Sequence, residues 1–184
     1  RTMAETLTAS QRSAYFNAAT RENIHTMGKQ VANNPLDNLN FTFPKARLLS
    51  KVYLDVKAEI NFTEDSAAEA AKAIADYPLT PYEILKRVSI DLNNGFAPFT
   101  IGGKELAMLN LVRMNPHVVK AGGGLCKATK GTGKVNVDFC IELPLTLHEG
   151  STTGLILLQN SETVVQLSAD IATQAEITNI VKVV

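Results

Sequence analysis

The sequence predicts an all-β fold, an antiparallel sandwich of about eight strands with an N-terminal helix and two short inserted helices. Apolar and polar side chains alternate with a period of two along four segments, as they do in strands with one buried and one solvated face. The helical segments do not alternate regularly with strands, which disfavours a parallel doubly wound sheet. The 184 residues are 45% hydrophobic and 20% charged, a composition that supports one folded domain rather than disorder.

The N-terminal residues 1–45 are predicted to form a helix followed by an extended arm. Thr8 and Gln11 have the spacing of a capping box, and the stretch to about Ala32 contains no proline and only one glycine, Gly28. Its apolar stripe is thin, so this helix should dock on another surface. Residues 33–44 contain two prolines and four asparagines, which predicts an extended arm or loop.

The strands are predicted from residue 47 onward, in a domain that covers residues 46–184. The alternation is strongest over residues 51–62, where Val52, Leu54 and Val56 would face inward. It recurs at residues 88–92, 135–143 and 165–171, and shorter candidates cover residues 96–101, 118–120, 155–158 and 177–184. Half-polar strands of this kind favour antiparallel sheets, two of which would pack into a sandwich.

Two short helices interrupt these strands. Thr63 can cap an alanine-rich helix over residues 64–75, which Pro78 closes. The second covers residues 104–113, and its apolar positions fall at helical spacing: Leu106, Leu109 and Val112 or Arg113. Residues 120–134 predict a flexible hairpin connection.

No catalytic, cofactor-binding or metal-binding residues are predicted. The histidines His25, His117 and His148 lie far apart, and none forms a pair at metal-binding spacing. Asp138 and Glu142 would share one face of a strand, which suits paired carboxylates but is also what a solvated strand face predicts.

A glycine-containing segment and two cysteines have simple structural interpretations. The sequence GTGK at residues 131–134 resembles the end of a phosphate-binding loop, but Ala128 and Val135 replace the required glycine and hydroxyl residue. Cys126 and Cys140 fit two separate small thiols, and a single bridge between them is the alternative.

The charge balance excludes some classes of function. Lys plus Arg and Asp plus Glu both total 18, so the formal net charge is zero, which disfavours specific nucleic-acid binding. No run of about 18 apolar residues predicts a membrane span, and no secretory signal is present. The chain begins at Arg1, which suggests a processed chain or a fragment of a longer one.

The order of elements resembles a known family. The sequences ADYPL (75–79), ILKRVSIDLNNG (84–95), FTIGGKEL (99–106) and MLNL (108–111) give strand, small helix, strand, NNG turn, strand and short helix. This order is similar to the first jelly roll of major capsid proteins from tailless, membrane-containing bacteriophages of the double-jelly-roll type. LILLQNSET (155–163) and the strand after it resemble the closing strands of that roll. The resemblance covers roughly residues 45–184.

The resemblance implies an eight-stranded jelly-roll sandwich in a virion structural protein, a capsid subunit that self-assembles into an icosahedral shell. It implies a homotrimer, contacts with other virion proteins, and an N-terminal helix that faces a neighbour or an internal membrane. About eight strands suffice for only one roll, so either a second roll follows Val184 in a longer product or the protein has a single roll.

The predicted assembly interface comprises the apolar residues of the thin stripe and of the arm. These are Tyr15, Ile24, Met27, Val31, Phe41 and Phe43. The same six side chains could instead cover the core of their own domain. Two other functions stay open, a receptor- or carbohydrate-binding sandwich of the spike or adhesin kind and a cupin-like metalloenzyme.

Overall fold

A computed structural model describes residues 7–21, 23–32, 38–45, 47–61, 80–93, 95–113, 126–131, 134–147, 153–158, 162–173 and 176. Within these ranges the helices are α1 (Ala9–Ala19) and α2 (Gly103–Arg113), and a short 3-10 helix covers Thr80–Ile84. The strands are β1 (Asn38–Thr42), β2 (Leu48–Leu49), β3 (Lys51–Asn61), β4 (Leu85–Leu92), β5 (Phe96–Ile101), β6 (Cys126–Gly131), β7 (Lys134–Pro144), β8 (Ile156–Leu157) and β9 (Val165–Ile171).

All strand pairs in the described residues are antiparallel, as the alternation predicted. One sheet has the order β1-β9-β4-β5, a second has the order β3-β7-β6, and β2 pairs with β8. The fold is therefore mostly β with few helices, and its sheets are those of an antiparallel sandwich.

The two larger sheets bury their inward side chains in one hydrophobic core. Four apolar side chains of β7 are fully buried: Val137, Phe139, Ile141 and Leu143. Successive residues of β9 alternate between buried apolar and half-buried polar side chains from Val165 to Asp170, which is the predicted period of two. The Tyr82 ring packs against Phe139 with 4.5 Å between ring centroids. Among the β3 side chains whose burial the structure describes, Val52 is buried, while Leu54 and Val56 are half-buried against the core.

Two predicted irregular segments are strands instead. Residues 38–42 of the predicted arm form β1, because Leu39 and Phe41 alternate with polar residues and pair with β9. The Phe43 N–H continues this pairing with a 3.0 Å bond to the Val165 carbonyl. β1 therefore belongs to the same sheet as β9, β4 and β5, although it precedes residue 46.

Part of the predicted flexible connection over residues 120–134 is also a strand. Residues 126–131 form β6, which pairs along β7 with Gly131 opposite Lys134. This strand has little apolar alternation, so backbone pairing with its long neighbour determines its conformation. A strand rather than a helix begins at Lys134, which removes the structural context of a phosphate-binding loop.

The N-terminal helix is shorter than predicted, and α2 agrees with its prediction. α1 ends at Ala19 because Thr20 is extended, with φ −92° and ψ 148°. The Thr20 hydroxyl donates to the Phe16 carbonyl over 2.7 Å. Gly28 has φ +140°, a conformation that no continuing helix permits. The predicted helix over residues 64–75 and the predicted strands 118–120 and 177–184 lie outside the described residues.

Candidate assembly surface

The N-terminal segment, residues 7–32, begins with the helix α1, which is stabilised by a hydrogen-bonded N-cap rather than by buried side chains. The Thr8 hydroxyl accepts a 3.3 Å bond from the Gln11 N–H, and the Thr8 N–H donates over 2.9 Å to the Gln11 side chain. This is the predicted capping box, which satisfies donors that a helix start leaves open. No residue of α1 is buried. The segment therefore presents its side chains to solvent or to a partner.

Four of the six predicted assembly residues lie exposed on this segment. Tyr15 is 71% exposed, Ile24 79% and Val31 66%, and Met27 is also exposed. They do not form one helical stripe, because α1 ends at Ala19 and only Tyr15 belongs to it. The structure instead distributes these apolar side chains along a helix and the extended chain that follows it.

The other two predicted assembly residues belong to the core. Phe43 is 7% exposed and lies in the hydrophobic core, and Phe41 is half-buried against it. Both side chains face inward because β1 is a strand of the sandwich. The positions of this pair fit the alternative interpretation, in which these residues cover the core of their own domain.

One side chain of the segment binds the sandwich by its amide. Gln30 Oε1 accepts a 3.1 Å bond from the Asn40 N–H, and Gln30 Nε2 donates to the Asn40 carbonyl. Both residues are exposed. We call this pair the exposed amide clamp. It imitates the two bonds that a neighbouring strand would make with Asn40.

A second clamp of the same chemistry is buried between α2 and β7. Asn110 Oδ1 accepts a 2.7 Å bond from the Glu142 N–H, and Asn110 Nδ2 donates to the Glu142 carbonyl over 2.8 Å. Asn110 also donates to the Leu106 carbonyl, one turn earlier in α2. Among the described residues, β6 pairs with β7 as far as Phe139, and the buried amide clamp binds β7 three residues further along, at Glu142.

Sequence reasoning missed Asn110 and an apolar surface on α2. The buried face of the helix passes through Leu106 and Asn110 rather than through Val112, which is 82% exposed. Met108 and Leu111 are exposed beside it. Arg113 donates to the Leu147 carbonyl over 3.0 Å, which brings a further exposed leucine to the end of the helix. The available signal was the position of Asn110, four residues after Leu106.

The carboxylate that the sequence placed on a solvated strand face is buried. Glu142 is 6% exposed and lies opposite Tyr53 in the β3–β7 pair. Burial and the Glu142 carboxylate raise the pKa of Tyr53, while Lys51 acts in the opposite direction. The phenol therefore keeps its proton and donates a hydrogen bond to Glu142. Asp138, on the same face, is half-buried.

Charged side chains near the β4–β9 pair are matched with opposite charges. Arg87 binds Asp170 over 2.7 Å and Lys86 binds Glu176 over 2.9 Å. Lys86, Arg87 and Asp170 line a shallow groove of about 530 Å³ with Thr100 and Gly102. The bond from Lys86 and those from the Thr173 N–H and hydroxyl lower the pKa of Glu176 to about 2.

Cys140 is half-buried and carries a thiol. In the described part of the chain, no three His, Cys, Asp or Glu side chains are grouped closely enough to hold a metal ion. Neither described helix has the length and apolar character needed to cross a bilayer.

Comparison with solved structures gives distant structural matches. No family model matches the chain, and no curated protein matches it in sequence. The crystal structure of the STIV MCP, a major capsid protein, aligns with a TM-score of 0.44 and 12% sequence identity. The alignment covers 75% of this chain and 38% of that one, so the chain spans well under half of that protein.

Proposed function

We propose that this protein is a virion structural protein, a capsid subunit that self-assembles into a shell and has no catalytic role. The observation that carries the proposal is the N-terminal segment, which leaves the sandwich with Tyr15, Ile24 and Val31 exposed. A capped helix of 11 residues that buries no side chain gains little stability within its own chain. Docking on a neighbouring copy would bury these side chains.

The proposal includes a jelly-roll topology, which the pairing of the strands supports. β1 pairs with β9, β2 with β8 and β3 with β7, so strands from the two ends of the chain pair in nested order. A long antiparallel ribbon that wraps into two sheets produces such nesting. This order also agrees with the family resemblance of residues 45–184.

The surface chemistry of the chain suits repeated contacts between identical copies. The formal net charge is zero, so many copies can pack together with little mutual repulsion. Further exposed apolar side chains lie on α2, at Met108, Leu111 and Val112. They are candidates for the surface that receives a neighbour's N-terminal segment, and a homotrimer is the assembly unit that we propose.

A pair of substitutions tests the role of the segment. Ile24→Asp removes an exposed apolar side chain and adds a charge, whereas Thr26→Asp adds the same charge at a nearby exposed residue without removing apolar surface. We expect light scattering and electron microscopy to show large assemblies for the unchanged protein and Thr26→Asp, and smaller species for Ile24→Asp.

Two results would contradict the proposal. One is a protein that stays monomeric at high concentration, and the other is equal assembly by both variants. Binding of a glycan by the monomer would favour the receptor-binding alternative, and a stoichiometric metal in the purified protein would favour the metalloenzyme. Deletion of residues 1–44 is unsuitable as a test because it would remove β1 and Phe43 from the fold.

A further inference from the structure

The outer edge of β1 carries backbone groups that its own sheet does not use. The Phe43 N–H donates to β9, so by the alternation of a strand Leu39 and Phe41 also direct their backbone groups to β9. Asn38, Asn40 and Thr42 direct theirs to the outer edge. Gln30 binds the groups of Asn40, and among the described residues none binds those of Asn38 and Thr42.

We propose that this edge pairs with the same edge of a second copy, antiparallel and about a two-fold axis at Asn40. In that register Asn40 faces Asn40 of the partner copy, and Asn38 faces the partner's Thr42. Each of the three pairs directs an N–H and a carbonyl across the axis, which gives up to about six backbone hydrogen bonds. The two four-stranded sheets would then form one continuous sheet.

The composition of β1 favours a copy of itself as the partner. A two-fold axis at Asn40 places that residue against its own equivalent, where a charge would meet a like charge, and β1 has no charged residue. Leu39 would lie opposite Phe41 of the partner copy. Both side chains are half-buried at the margin of the core, and the pairing would cover them further.

The opposite edge of the same sheet is formed by β5, and this edge is protected against the addition of a further strand. β5 contains Pro98, which has no N–H and is a common means of blocking strand addition. β1 contains neither proline nor charge between Asn38 and Thr42. The only described group on its outer edge is the exposed amide clamp, which has to open for the central pair to form.

This inference rests on the proposed function, since it names one of the contacts through which copies associate. It differs from the contact of the N-terminal segment in residues and in chemistry. Pairing at β1 uses backbone hydrogen bonds, whereas the segment uses apolar side chains. The test is therefore carried out in full-length protein with Ile24→Asp, in which we expect the larger assemblies to be suppressed and the β1 pairing to persist.

Hydrogen exchange is the first measurement. In the pairing, the amides of Asn38, Asn40 and Thr42 become protected as protein concentration rises. Those of Leu39 and Phe41 are protected at every concentration by β9, and so they are internal controls. The protein concentration is varied a hundredfold, over a range in which the dimer forms. The proposal would be overturned if the exchange rates of the Asn38 and Thr42 amides stayed the same over that range.

A charge design tests the register. Asn38→Lys with Thr42→Asp places opposite charges in contact across the axis, whereas Asn38→Lys with Thr42→Lys places like charges there. We expect the dissociation constants of the two variants, measured by sedimentation, to differ by about tenfold. Gln30→Ala should tighten the dimer because it removes the competing amide.

Equal dissociation constants for the two double variants would overturn the proposed register. Where a double variant does not fold, the exchange measurement on protein with the original β1 decides. Loss of large assemblies in Ile24→Asp with intact β1 pairing supports both proposals. Large assemblies of the unchanged protein that are lost in Ile24→Asp, together with concentration-independent exchange at β1, would support the shell and refute this interface.

Discussion

The buried and the exposed amide clamps use the same two bonds in opposite surroundings. Asn110 binds the backbone of Glu142 within the core region, and Gln30 binds the backbone of Asn40 in contact with water. Water can replace Gln30 but has little access to Glu142. A hydrogen bond contributes little where water competes, whereas an unsatisfied buried group is costly. One clamp therefore fixes α2 on its sheet, and the other is a contact that can be exchanged.

The largest effect is expected when the buried clamp is removed. Asn110→Ala leaves the N–H and carbonyl of Glu142 without partners in a buried site, which we expect to lower the free energy of unfolding by about 3 kcal/mol. Urea denaturation measures this loss. Asn110→Gln retains the amide but adds a methylene, so its cost should be smaller, about 1–2 kcal/mol. A loss below about 1 kcal/mol for Asn110→Ala would show that water reaches Glu142.

Opening the exposed clamp should hardly affect stability. Gln30→Ala is expected to change the free energy of unfolding by about 0.5 kcal/mol or less, because water replaces both bonds. In dilute protein the Asn40 amide should exchange faster than in the unchanged chain, while the Leu39 amide should not. A stability loss near that of Asn110→Ala would end the distinction between the two clamps.

The smallest effect concerns the sensitivity of folding to acid. The amide side chains of the two clamps do not titrate, so this sensitivity has another origin. The pKa of Glu176 lies at about 2 in the folded chain against an ordinary value of 4.5. Its contribution to stability is thus present above about pH 4.5 and is lost as the pH falls towards 2. Urea midpoints at pH 7 and pH 3 should differ less for Glu176→Gln than for the unchanged protein. Lys86→Met should also reduce the difference, and equal differences in all three would refute this origin.

The strands that could be predicted from the sequence are those in which apolar and polar side chains alternate clearly. Residues 51–61, 134–144 and 165–171 alternate clearly, and each has an apolar face on the shared core. β1 was missed because its asparagines and the prolines around it are typical of loops, although Leu39, Phe41 and Phe43 keep a period of two. β6 was missed because its pairing depends on the backbone of β7 rather than on its own side chains.

The candidate surface was predictable only in part. The exposed apolar residues Tyr15, Ile24 and Val31 were found from composition and spacing, but the fold decides that Phe41 and Phe43 turn inward. Neither clamp could be inferred, because Gln30 and Asn110 each bind the backbone of a residue in another element. An asparagine within the buried face of α2 was the one local indication.

The position of β1 has a consequence for proteolysis. A protease that trims the protein from its N-terminus would remove α1 and Gln30 without taking any of the core side chains that the structure describes. Further digestion meets backbone that is already bonded to β9 and side chains that the core requires. The shortest stable fragment is therefore expected to begin at or before Asn38, and such trimming would leave the edge at Asn40 permanently uncovered.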